Sequence, residues 1–166
     1  DVALMGQSAE HWVGINCGIM DQFSSVMGLE NKVIKIDCRT LEYEYHNADF
    51  NDYSLILFDS NVKHALMTSA YNERREQCEE GIAILKANFT QVKSFRDCTE
   101  EQVQSVKDKM SEDIFKRSLF VVKEIKRVIK ACHALDNGDI PTLGKLMYET
   151  HEGLSKDYEV SCPELD

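Results

Sequence analysis

The segment Gly18-Ile19-Met20-Asp21-Gln22 places a carboxylate at the start of a short helical pattern, with Cys17 before it and Ala9-Glu10-His11 further upstream. A carboxylate in that position can complement the helix dipole, worth about 0.3–1 kcal/mol. It can also take a proton from a bound hydroxyl. For an arbitrary chain the first reading outweighs the second. Gly18 serves a turn or a close backbone approach, and the two can hold together. Tyr71 opens a long helical pattern, where an aromatic ordinarily packs against a neighbouring layer. Glu10 reads as a solvated helix glutamate. Arg74 and Arg75 stand among Glu73, Glu76, Glu79 and Glu80, so they read as surface ion pairs rather than as a phosphate clamp. His11, His46, His64, His133 and His151 have no metal-ligand spacing, and none is given a role. The six cysteines, at 17, 38, 78, 98, 132 and 162, include no C-x-x-C pair. That spacing argues against a zinc site and a disulfide framework, and for buried free thiols in a reducing compartment.

The elements that must hold these residues follow from periodicity. Asp1 to about His11 reads as the last turns of a helix, and Ile19–Met27 as a short helix stopped by Gly28. Three strand patterns follow: Lys32–Cys38, Leu41–Tyr45 with Glu42 and Glu44 on a solvated face, and the nearly continuous apolar run Tyr53–Phe58, expected as a central strand. Helices are expected over Tyr71–Asn88, Ser111–Leu135 and Pro141–Gly153. The third of these has Pro141 in its first turn. The second is expected to bury Phe115, Leu119, Val122, Ile125, Ile129 and Cys132. Thr99-Glu100-Glu101-Gln102 fits a capping box, with hydroxyl and amide satisfying each other's backbone donors. Strands followed by helices predict an α+β arrangement with a seam near residue 65.

The chain has 166 residues, 43% of them hydrophobic and 29% charged, the balance of a globular chain. With 29 acidic and 19 basic side chains the formal net charge is -10. A reader of nucleic-acid backbones needs a basic face, so no nucleic acid is expected as a partner. No apolar run approaches the roughly 18 residues of a membrane span, so no membrane is expected either.

One set of blocks carries more. The run Cys17-Gly18-Ile19-Met20-Asp21-Gln22-Phe23, with Ala9-Glu10-His11, closely resembles the galactokinase branch of the GHMP kinases. Asp37-Cys38-Arg39-Thr40-Leu41-Glu42, Asn61-Val62-Lys63-His64, Tyr71-Asn72-Glu73-Arg74-Arg75 with Gln77-Cys78-Glu79-Glu80, and the terminal Asp157–Asp166 block are similar to successive segments of that family. The blocks are collinear and cover nearly the whole chain.

The resemblance implies a GHMP kinase-like α+β fold, with part of a mixed sheet followed by mainly helical structure. Residues 1–65 would be the later part of the N-terminal domain, and residues 66–166 the first part of the C-terminal domain. It implies phosphorylation of the anomeric hydroxyl of galactose by ATP with Mg2+, in the cytoplasm. By the same resemblance Asp21 is the base, Gly18, Asp21 and Tyr71 meet the sugar, and Glu10 helps to hold the metal. The interval from Glu10 to Asp21 is one residue shorter than usual for the family, a difference the loop from Trp12 to Asn16 can absorb. A helix N-terminus favours an ionised Asp21, and a loose phosphoryl-transfer transition state tolerates a weak base. The family's sugar-binding and Gly-Ser-rich phosphate-loop segments, and its late glycine-rich motif, have no counterpart here. The chain is therefore expected to be a central piece without turnover of its own. Kinases of N-acetylgalactosamine or arabinose share much of this pattern, as do relatives that bind galactose and ATP only as sensors.

Overall fold

The computed structural model describes residues 2–48, 50, 53, 54, 56–62 and 67–166, with backbone alone for residues 67–71. Leu55, Lys63 and His64 lie outside the described residues, as does the expected seam at residue 65. The helices are α1 (Val2–Trp12), α2 (Met20–Met27), α3 (Met67–Asn88), α4 (Glu100–Ser105), α5 (Glu112–Asp136) and α6 (Ile140–Lys156); β1 (Lys32–Ile36) and β2 (Tyr43–Asn47) form the sheet. The chain divides into two compact units, Asp1–Asp59 with Cys132–Ile140, and Ser60–Ala131 with Pro141–Asp166.

In the first unit, α1 and α2 pack against each other, and Ala3, Ile19 and Phe23 form a small buried cluster with Met27, Ile34, Ile36 and Leu41 around it. β1 and β2 pair antiparallel, with Val33 opposite His46 and Lys35 opposite Glu44. The second strand starts two residues later than expected. Leu41 sits at φ 60, inside a hairpin turn whose Asp37 carboxylate accepts the Arg39 and Thr40 N–H groups, so the extended backbone begins beyond it. His46, on the same face as Glu44, is buried because Asp136, the last residue of α5, lies against it, with His46 Nδ1 2.7 Å from an Asp136 carboxylate oxygen.

The expected central strand is corrected. Tyr53, Ile56, Leu57 and Phe58 are not in a strand, and Leu57 and Phe58 are 98% and 86% exposed. A central strand needs a partner along each edge to take its backbone hydrogen bonds. Among the described residues β1 and β2 pair only with each other, as an antiparallel pair.

The second unit is helical around one dense cluster of Leu85, Val92, Cys98, Val103, Val106, Phe115 and Val122. α3 begins four residues before Tyr71, so Tyr71 lies inside the helix rather than at its start. The capping box forms as expected: Thr99 Oγ1 accepts the Gln102 N–H at 3.2 Å, and Gln102 Oε1 accepts the Thr99 N–H at 2.8 Å. On α5, Ile129 is exposed whereas Arg117, Ser118 and Phe120 are buried. Arg117 finds hydrogen-bond partners inside the unit at Gln77, Asp157 and Glu159, and Ser118 lies against Gly81. The six cysteines are all unpaired, but only Cys98 and Cys132 are buried; burial pushes both thiols upward in pKa.

Candidate active site

The loop between α1 and α2 is tied to α1 by that helix's own side chains. Gln7 and His11 are four residues apart and so share a face. Gln7 Nε2 donates to the Cys17 carbonyl at 3.4 Å and His11 Nε2 donates to the same oxygen at 2.9 Å. The Ile15 N–H donates to the Glu10 carbonyl at 3.1 Å, and Gly14 turns the chain at φ 95. From α2, Gln22 Nε2 reaches back to Cys17 Sγ at 3.6 Å. Cys17, Gly18 and the first turn of α2 are thereby placed as one piece. Sequence reading missed Gln7 and His11 in this role; their i, i+4 spacing ahead of a short loop was the available signal.

Asp21 is the second residue of α2 and is exposed. Ile19, at the N-cap, makes no side-chain cap, so Asp21 carries the negative charge of the first turn. The Ser25 hydroxyl donates to the Asp21 backbone carbonyl at 2.8 Å. Gly18 is exposed; a Cβ there would meet nothing within 4 Å, and its φ is not positive. Neither crowding nor backbone strain therefore requires glycine at 18, and the turn reading of this residue loses its support.

Glu10 is half-buried on α1. Among the described residues no three His, Cys, Asp or Glu side chains are grouped as a metal centre. Mg2+ commonly takes one or two protein carboxylates, with phosphate oxygens and water completing its shell. Glu10 therefore does not belong to a self-contained metal site among the described residues. Glu10, Gly18 and Asp21 fall in the first unit, and Tyr71 falls in the second.

The two arginines after Tyr71 part company. Arg75 pairs with Glu79 at 2.9 Å on the surface, as expected. Arg74 also pairs with an acidic neighbour, Glu73, at 3.0 Å, but it is drawn inward as well: its side chain is only 11% exposed, and its Nε donates to the Tyr158 carbonyl at 2.7 Å. The difference is positional, since Arg74 faces the segment that follows α6.

No family model matches the chain. Curated relatives do, and all of those named here are galactokinases. The protein of Thermotoga maritima is 43% identical over 165 residues, 99% of this chain and 45% of its own length. That of Clostridium acetobutylicum is 40% identical over 168 residues, with 100% and 43% covered. That of Haemophilus influenzae is 43% identical over 170 residues, with the same coverage. The crystal structure of Lactococcus lactis galactokinase complexed with galactose superposes with a TM-score of 0.91 at 31% identity, covering 99% of this chain and 42% of that one. From end to end, the chain is similar to a stretch of galactokinase. Its fold is that of the matching part of a GHMP kinase, and the collinear blocks read from the residues lie within this likeness. The chain spans less than half the length of the galactokinases it matches. Among its described residues no helix is long and apolar enough to cross a membrane.

Proposed function

We propose that this chain carries the central part of a galactokinase, which moves the terminal phosphoryl group of ATP to the anomeric hydroxyl of galactose. The observation that carries the reading is the likeness over 99% of the chain to a galactokinase solved with galactose. A sugar hydroxyl is a poor nucleophile. Asp21, exposed at the start of α2, accepts the hydroxyl proton as the bond to phosphorus forms. Gly18, whose missing Cβ leaves open space, lets the sugar approach the backbone. Tyr71 is assigned a hydrogen bond to the sugar. Glu10 contributes one carboxylate oxygen toward Mg2+, which when bound neutralises phosphate charge. The seam near residue 65 separates the N-terminal and C-terminal kinase domains in this reading. ATP chemistry and six unpaired thiols suit the cytoplasm.

In the complete protein, Asp21→Asn is expected to keep the fold and galactose binding while lowering kcat by about 10²-fold or more. A rise in KM with kcat unchanged would reduce Asp21 to a binding residue. Galactose binding by the complete wild-type protein without any turnover would overturn the kinase reading in favour of a sensor. The 166-residue chain alone is expected to show no turnover, and ATP-dependent formation of galactose 1-phosphate by it would refute that.

A further inference from the structure

After α6 the chain is strapped down by two arginines from two different helices, all within the second unit. Arg117 on α5 is 1% exposed, a place where a cation is costly unless every donor is used. Its Nη1 donates to the Asp157 carbonyl, its Nη2 to a Glu159 carboxylate oxygen at 2.6 Å, and its Nε to Gln77 Oε1 at 3.4 Å. Arg74 on α3 donates from Nε to the Tyr158 carbonyl at 2.7 Å, from Nη2 to the Glu159 carbonyl at 3.4 Å, and from Nη1 to the same Gln77 oxygen at 3.2 Å. Two guanidinium groups thus hold three consecutive strap residues and share one acceptor between α3 and α5. Glu159 sits at φ 53, a left-handed conformation that non-glycine residues avoid. Such strain persists where the surroundings over-determine it, and it gathers at places with a functional demand.

The demand is one helical turn away. Tyr71 precedes Arg74 by three residues on α3, an axial distance of about 4.5 Å. Over that distance a helix transmits a fixed position almost rigidly, and displacements of about 1 Å at a bound substrate can cost as much as 10²-fold. We propose that Arg74, locked with Arg117 onto the 157–159 strap, is a positioning residue that sets α3, and with it Tyr71, for the sugar. The inference rests on the reading of Tyr71 as a galactose contact.

The test is steady-state kinetics on the complete protein for Arg74→Lys, Tyr71→Phe and the double variant, with Arg75→Ala as control. Arg74→Lys keeps the charge but loses the planar fork. It is expected to raise the KM for galactose by about three- to thirtyfold with the KM for ATP unchanged. In the Tyr71→Phe background the same substitution is expected to add nothing further, because the residue being positioned is already disabled. Arg75→Ala should alter neither constant. Equal rises in both KM values, no rise at all, or full additivity with Tyr71→Phe would overturn the proposal. Should Arg74→Lys fail to fold, Glu159→Gln, which weakens the strap from the other side, is read by the same criteria. If Tyr71→Phe itself leaves galactose KM unchanged, the sugar-contact reading fails and takes this inference with it. If Tyr71→Phe raises that KM and Arg74→Lys does not, only the clamp fails.

Discussion

In the first unit Gly18 lies at the surface with nothing where its Cβ would be; in the second, Gly153 backs onto the Phe120 ring so closely that a Cβ would stand 2.4 Å from Cε2. The same contrast runs through the polar residues. Asp21 is exposed, and Glu10 is half-buried. In the second unit Arg74, Gln77 and Arg117 are committed to one hydrogen-bonded node. The cores differ likewise: a buried cluster of three, Ala3, Ile19 and Phe23, in the first unit, against a seven-residue cluster that includes the fully buried Leu85 and Val103 in the second. A side chain that the fold does not need is available to a ligand, whereas a polar group consumed by packing lends stiffness instead. In the proposed reading the first unit supplies the two carboxylates, and the second supplies Tyr71 with the arginine node that positions it.

The largest effect that would test this contrast is at Gly153. Gly153→Ala must displace an aromatic ring inside a packed helix pair, and is expected to cost about 1–3 kcal/mol of stability by urea unfolding of the complete protein. A neutral result would show that Phe120 can yield and that the second unit is looser than its geometry suggests.

A smaller effect concerns acid. The Arg117 guanidinium, first by its hydrogen bond and then by its charge, holds the Glu159 carboxyl below its ordinary value of 4.5. A depressed folded-state pKa means that the stabilisation is present above the unfolded value and is lost as pH falls through the folded one. Wild type is therefore expected to exceed Glu159→Gln in stability at neutral pH, and the gap should close on acidification below about 4.5. A gap that stays constant down to strong acid would remove the ion pair from the account of the strap.

The smallest expected stability change is at Gly18. Gly18→Ala should alter stability by no more than about 0.5 kcal/mol, because the added methyl meets only solvent. Its galactose KM is nonetheless expected to rise. A stability loss as large as that of Gly153→Ala would erase the distinction between the two glycines.

Local interactions were legible without coordinates. The capping box at Thr99, the long α5 and the stop of α2 near Gly28 depend on groups within four residues of one another, so periodicity and composition suffice to read them. The ordered blocks that resemble galactokinase were legible for a different reason: they are strings of side-chain types, and strings need no folding to be compared. The fate of the Tyr53–Phe58 run was not legible, because an apolar run reports a wish for burial and not which edge will accept it. Arg74 and Arg75 stand side by side in an acidic helix, yet Arg74, besides its ion pair with Glu73, reaches Tyr158 84 residues away, whereas Arg75 pairs four residues away with Glu79. His46 finds Asp136 across 90 residues. Helix positions, the Thr99 cap and the order of the family-like segments can be read from neighbouring residues alone. Which charges are buried, which glycine is crowded and which segment Arg74 binds depend on groups brought together by the chain's return upon itself.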